Sequence, residues 1–259
     1  MAKKGGFGSI VRRVIYECDI VIEVVDARLI DLTRHHELER TVERAEKRLI
    51  LVINKADLVP KAFLDSQKKL HDNCVFVSCR ERHGFSKLRE MIYRVAAKSK
   101  TDEEKIYVGV IGYPNVGKSS IINALKGRSS ASTSARSGHT RGKQNIRITD
   151  RIMLVDTPGV IPVSEKDPVQ LALLASKNPD QLKDPDLVAM NIIKLFMGAG
   201  KENILEEHFN FTRDNGDDEC DILEKMGVGR GKLAPGGVAD IKGISKIIID
   251  EWQKGTLRL

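Results

Sequence analysis

The chain predicts a three-layer α/β domain on a mostly parallel six-stranded sheet, followed by a small all-helical domain. Three observations lead there. Short Val/Ile-rich runs alternate with amphipathic stretches over the first 159 residues. Several of those runs are almost wholly apolar, as strands buried on both faces must be. After Pro162 no alternating strand pattern recurs and only helical periodicity continues.

The predicted strands are Ile20–Val25, Leu49–Ile53, Val75–Val77, Tyr107–Ile111, Asn145–Ile148 and Ile152–Val155. Helical patterns lie between them at 33–47, 61–72, 84–98 and 118–126, with Pro60 placed where a first helical turn begins. Beyond the sheet, helices are predicted at 167–176, 186–198, 202–210, 219–226 and 238–254, separated by turns such as Asn178-Pro179-Asp180. The expected division is 1–163 and 164–259, with Lys98–Lys105 as a connector inside the first part.

The composition of the 259 residues, 41% hydrophobic and 31% charged, fits a globular chain and excludes collagen and thoroughgoing disorder. No run approaches the ~20 apolar residues that span a bilayer. The first apolar run, from Asp19 to Val25, contains Glu23, and no signal-peptide pattern is read. Four cysteines without short paired spacing fit a reducing cytoplasm. The net charge of +7 is uneven: residues 1–159 carry +11, 160–224 carry −8 and 225–259 carry +4. Such asymmetry fits a polyanionic partner met by particular faces, or ordinary solvated surface.

Gly112-Tyr113-Pro114-Asn115-Val116-Gly117-Lys118-Ser119 has the form G-x-x-x-x-G-K-[ST], after a predicted strand and before a predicted helix. Its glycines let backbone N–H groups turn toward phosphate oxygens, helped by the positive end of the helix. The nucleotide-contacting residues of the loop are Asn115, Val116, Gly117, Lys118, Ser119 and Ser120. Lys118 reaches the β- and γ-phosphates, and Ser119 ligates Mg²⁺. Asp156-Thr157-Pro158-Gly159 ends another strand. It is either a simple turn or an Mg²⁺-side carboxylate with a γ-phosphate-facing N–H at Gly159. Between the two lies Lys126–Arg147, with six Lys/Arg and no acid. Thr140 is the candidate switch hydroxyl for Mg²⁺, with Thr133 and nearby serines as rivals. Lys118, Thr140 and Gly159 make up the candidate catalytic set.

Asn54-Lys55-Ala56-Asp57 follows a predicted strand. Asp57 can accept from guanine N1 and N2, Lys55 can lie along the base, and Asn54 can tie this loop to the phosphate loop. Ser78-Cys79-Arg80 follows the next strand, where a backbone N–H can donate to guanine O6. In ordinary GTPases the phosphate loop comes first; here the base-reading loop precedes it, which circular permutation explains. Lys177-Asn178-Pro179-Asp180 has the wrong residue order and follows a helical pattern, so it is rejected as the base reader.

With Asp26-Ala27-Arg28 ahead of the base-reading motif, this order resembles the YlqF/YawG family of circularly permuted GTPases that assist ribosome assembly. The likeness continues through Ile222–Gly227, Gly236–Asp240 and Ile247–Gly255. The resemblance implies a slow GTPase switch using GTP/GDP and Mg²⁺, acting on large-subunit precursors and rRNA. No amphipathic basic helix or lipidation signal supports a membrane partner, no DNA partner is expected, and a cytoplasmic monomer is expected. Likeness to related potassium-stimulated GTPases implies that Asn115 helps hold K⁺, which supplies charge where other GTPases insert an arginine, or else Asn115 is a polar loop residue that caps its neighbours. Val160 and Ile161 stand where a water-orienting glutamine is usual, and the first 34 residues hold no histidine. His35 and His36 are expected to be solvated. Lys225, Arg230, Lys232, Lys242 and Lys246 offer RNA phosphate contacts, or are scattered charge on a helical lid. The alternative function is a GTP-dependent protein-interaction adaptor away from ribosomes; a plain ATPase is disfavoured by Asp57.

Overall fold

The computed structural model of the chain describes residues 12, 14–70, 73–98, 105–126, 145–155, 168–174 and 178–259. The chain falls into two compact units, Met1–Ser164 and Glu165–Leu259.

The first unit is built on β1 (Ile20–Asp26), β2 (Arg48–Asn54), β3 (Cys74–Phe76), β4 (Ile106–Gly112), β5 (Asn145–Arg147) and β6 (Ile152–Val155). Their spatial order is β3-β2-β1-β4-β6-β5. All pairs are parallel except β5 with β6, which are antiparallel. β1 is the pivot, bonded to β2 on one side and β4 on the other, and all seven of its residues are buried. The chain runs outward from β1 to β3, then crosses back to β4. This reversal makes the carboxyl ends of β1 and β4 the switch point where α/β sheets place ligands.

The helices of this unit are α1 (His36–Arg44), α2 (Lys61–Leu70), α3 (Phe85–Ala97) and α4 (Lys118–Lys126). Val42 of α1 packs with Val21, Ile111 and Val155, joined by Val14, Ile15 and Cys18 of the preceding segment. Leu64 of α2 covers Leu51, Ile53 and Cys74. α3 buries Phe85, Leu88, Ile92 and Val95, one every three or four residues. Arg89 on α3 donates to the carbonyls of Ala124 and Leu125 at 3.1 and 3.2 Å, satisfying acceptors that the end of α4 leaves open.

Every predicted strand is present within a residue or so of its expected bounds. The helix expected over 33–47 is not continuous. A single turn, Ile30–Thr33, stops where the Thr33 hydroxyl bonds back to the Leu29 carbonyl at 2.6 Å and Arg34 becomes extended. α1 then starts afresh, capped by His35, whose Nδ1 accepts from the Leu38 N–H at 3.2 Å.

The second unit holds α5 (Pro168–Leu173), α6 (Pro185–Gly198), α7 (Glu202–Phe209), α8 (Glu219–Gly229) and α9 (Ile241–Lys254). Trp252 of α9 is fully buried, edge-on to Phe196 of α6 at 6.3 Å, and its indole N–H donates to the Leu173 carbonyl at 3.1 Å. Asp218 and Asp221 form a capping box on α8. α9 begins at 241 rather than 238 because Gly236 and Gly237 hold positive φ and Asp240 caps the helix by accepting from Gly243 N–H. No helix among the described residues is long and apolar enough to cross a membrane.

Candidate nucleotide-binding site

Three strand ends bring together the residues expected to read a base. Asn54 ends β2 and is 2% exposed. Its Nδ2 donates to the Val116 carbonyl at 2.7 Å, joining two loops 62 positions apart. Its Oδ1 is buried without a hydrogen-bond partner. Lys55 follows in the left-handed region (φ 60°, ψ 33°), and its ammonium lies 2.6 Å from Asp26 Oδ2. Asp57 Oδ1 accepts from the Ser78 hydroxyl at 2.6 Å. Ser78 Oγ in turn accepts from Glu81 N–H at 3.0 Å, and Ser78 pairs backbone-to-backbone with His83. The Ala56 N–H donates to the Val77 carbonyl at 3.1 Å, so the two base-side loops are one hydrogen-bonded assembly. Cys79 is half-buried there; burial pushes its thiol up, while the Asn54 amide and Lys55 pull it down. Asp57 and Ser78 line a cavity of about 680 Å³ together with Lys61 and Lys68 of α2 and Lys87 and Arg94 of α3.

The phosphate side grows from β4. Gly112 has φ 144°, and a Cβ there would stand 2.5 Å from the Val24 carbonyl oxygen. Gly117 has φ 102°, and a Cβ would be driven into the Asn54 amide nitrogen. Only glycine lets the phosphate loop approach the base loop this closely. Val116 is buried between them, and Asn115 is exposed at φ 57°. Lys118 opens α4 and curls back, donating to the carbonyls of Gly112 (2.8 Å) and Tyr113. Burial holds its ammonium down to about 8. Ser119 and Ser120 are exposed on the first turn of α4. The donor set fits a nucleotide: an ammonium resting on loop carbonyls, an exposed hydroxyl beside it, and an orphaned amide oxygen at the base end. Thr140, Asp156 and Gly159, with Thr133, Val160 and Ile161, lie outside the described residues; β6 ends at Val155, one residue before Asp156.

Three features escaped the sequence reading. The Asp26 carboxylate is 2% exposed and takes four hydrogen bonds, three of them from Arg28. Burial pushes its pKa up, but Arg28 and Lys55 outweigh that and hold it at about 2. Glu23 is fully buried in mid-strand, with Oε1 accepting from His35 N–H at 2.7 Å and Oε2 unpartnered. Burial, partly offset by that N–H and reinforced by the neighbouring Glu39 carboxyl, pushes Glu23 up to about 8. His35 is not a solvated side chain: its ring stacks on Tyr113 of the phosphate loop with centroids 6.2 Å apart. His36 is exposed, as expected. A carboxylate inside the apolar run at Glu23 was the available signal; its partner is not visible in sequence.

In the second unit, three of the five basic candidates are already ion-paired. Lys225 bonds Asp214 and Asp217 at 2.7 and 2.5 Å, and Lys246 bonds Asp180 at 2.8 Å. Arg230 sits 3.4 Å from Glu251 and 5.0 Å over the Phe209 ring. Lys232 and Lys242 are exposed.

A family model described as a 50S ribosome-binding GTPase matches residues 107–210. An uncharacterized GTP-binding protein of Methanocaldococcus jannaschii is 40% identical over 98% of this chain and 67% of its own length. Nuclear/nucleolar GTPase 2 of Arabidopsis thaliana is 32% identical over 95% of this chain and 42% of its length. The GNP-bound YlqF structure from T. maritima superposes with a TM-score of 0.61 over 97% of this chain and 94% of that one, at 20% identity. The chain belongs to the YlqF/YawG family of circularly permuted GTPases. It carries the sheet order and motif order described above, with the Asn54–Asp57 loop ahead of the Gly112–Ser119 loop. It spans about two thirds of the archaeal relative and less than half of the plant one.

Proposed function

We propose that this chain is a GTP-hydrolysing switch that acts in ribosome assembly, chiefly on the large subunit, through contact with rRNA. The observation that carries the nucleotide half is the Asn54–Val116 hydrogen bond, which fastens a guanine-reading loop to a phosphate-binding loop. Asp57, steadied by Ser78, accepts from the guanine N–H groups. An adenine would leave the Asp57 carboxylate unpaired, and that gives selectivity. Lys118 exchanges its loop carbonyls for β- and γ-phosphate oxygens. Ser119, with Thr140 and Asp156, holds Mg²⁺, which neutralises charge on the phosphates when bound. Asn115 assists K⁺ in the same role. The description of the matched family, a 50S ribosome-binding GTPase, supports the ribosomal half of the reading.

Residues 160–164 connect the γ-phosphate side directly to the helical unit, so nucleotide state can bias how that unit meets RNA. Lys232 and Lys242 supply phosphate contacts first, because Lys225, Arg230 and Lys246 already hold acidic partners. The protein works as a cytoplasmic monomer that is stimulated by ribosomal particles. Co-sedimentation with ribosomal subunits, comparing a non-hydrolysable GTP analogue with GDP, tests the proposal. Tighter association in one nucleotide state is expected. Equal absence of association in both would overturn the ribosomal reading while leaving nucleotide binding intact.

A further inference from the structure

Asp26-Ala27-Arg28 belongs to the family signature, yet none of its residues has a role in the nucleotide chemistry above. Asp26 ends β1 directly opposite Asn54 of β2, which places its carboxylate beside the next residue, Lys55. Its Oδ1 accepts from Arg28 N–H and Nε–H at 3.1 and 3.0 Å. Its Oδ2 accepts from Arg28 Nη2 at 2.9 Å and from the Lys55 ammonium at 2.6 Å. The two-pronged guanidinium contact fixes the plane of the carboxylate, so Oδ2 stands in one place. Lys55 meets it from a left-handed backbone, a conformation a non-glycine residue keeps only where its surroundings hold it.

Two residues further on stands a competing carboxylate. Asp57 is close enough to act on the Lys55 charge. Its Oδ1 takes the Ser78 hydroxyl, and its Oδ2 accepts no hydrogen bond among the described residues. A lysine that feels two carboxylates in a half-buried pocket pairs with whichever is better placed. Were it Asp57, the base would have to break an ion pair before it could be read. We propose that Asp26, oriented by Arg28, is a specificity-determining positioning residue that holds Lys55 off Asp57 and leaves the Asp57 carboxylate open to the guanine N–H groups. The ammonium is thereby stationed along the pocket wall before nucleotide arrives, so ordering that long side chain costs little at binding. The inference rests on the guanine reading of Asp57 and deepens it.

The test uses the full chain with mant-GDP and mant-ATP. Asp26→Asn releases Lys55 to Asp57 and should weaken mant-GDP by about tenfold, the order of one lost charge-assisted contact. Adding Lys55→Met to Asp26→Asn removes the intruding ammonium and should recover about threefold or more of that loss. A merely structural Asp26 would give a double variant as weak as Asp26→Asn or weaker, and that result overturns the inference. A second readout does not need the pocket variants to bind. In ¹⁵N-lysine-labelled, nucleotide-free protein, the Lys55 ammonium signal should persist at neutral pH in the wild type and in Asp57→Asn. A signal lost in Asp57→Asn would mean that Asp57 is the partner and would overturn the inference even if Asp26→Asn fails to fold. Equal mant-GDP and mant-ATP affinity in the wild type would overturn the guanine reading itself. Discrimination by the wild type with no loss in Asp26→Asn would overturn this inference alone.

Discussion

Lys118 rests on carbonyl oxygens, with its ammonium held down to about 8 by burial. A bound triphosphate surrounds that nitrogen with negative charge and raises it. Nucleotide binding near pH 9 should therefore take up a proton, and affinity should fall as pH rises through about 8. Calorimetry in buffers of different ionisation enthalpy checks this, with Lys118→Met expected to show no proton uptake and little binding. Glu23 runs the other way. Its folded pKa of about 8 exceeds the 4.5 of a free carboxyl, so the folded state keeps a proton that the unfolded chain has lost. Stability should decline as pH rises from about 4.5 to about 8. Glu23→Gln should flatten that slope in urea titrations at pH 5.5 and 8. A slope as steep as wild type would show that Glu23 is not the group responsible. At Asp57, an Asn should cost GTP roughly 1–3 kcal/mol and shift preference toward xanthine nucleotides, since an amide can donate where the carboxylate accepted. Comparing GTP and XTP affinities of the variant tests it.

Elements were legible where burial leaves a periodic trace. β1, β2 and β4 lie inside the sheet and read as almost wholly apolar runs, broken in β1 only by Glu23 before its closing Asp26, so their bounds came out within a residue. The break at Arg34 and His35 was hidden because apolar spacing carries on across it through Leu32, Leu38 and Val42, and a histidine is not an ordinary N-cap. α8 is the opposite case, announced by acids ahead of an apolar stripe. Asp218→Ala should lower the stability of the helical unit by about 1 kcal/mol, seen as an earlier denaturation midpoint. An unchanged midpoint would mean that the capping box adds nothing to that unit.

Across the whole molecule, the convergence of the candidate site's loops was readable because each motif follows its strand directly, and parallel strands in one sheet must deliver their carboxyl ends to one side. The pairing of charges was not. Lys225 meets Asp214 and Asp217 only because the loop before α8 folds back on that helix, and a count of basic residues cannot foresee it. Charge reversal therefore should separate two roles. Reversing Lys232 and Lys242 to Glu should weaken binding to ribosomal RNA and flatten its salt dependence, with GTP hydrolysis near wild type. Lys225→Glu should instead destabilise the helical unit by setting three acids against one another. Filter binding across salt, read beside thermal unfolding, distinguishes them; a Lys232/Lys242 variant with the wild-type salt slope would remove those residues from the interface.

The position of β1 also has a consequence for synthesis. Among the described strands, the one at the centre of the sheet is the first to be made, and its second neighbour, β4, begins 86 residues later, at Ile106. At the ~5–20 residues per second of translation, β1 waits on the order of ten seconds with one edge unpaired. That open edge is apolar and central, the kind that recruits strands from other chains. The nascent chain thus assembles its base-reading half around a gap. The Asn54–Val116 bond, which needs the loop beyond β4, can close only after that gap is filled. Motif order within the gene becomes, at the ribosome exit, an order of assembly.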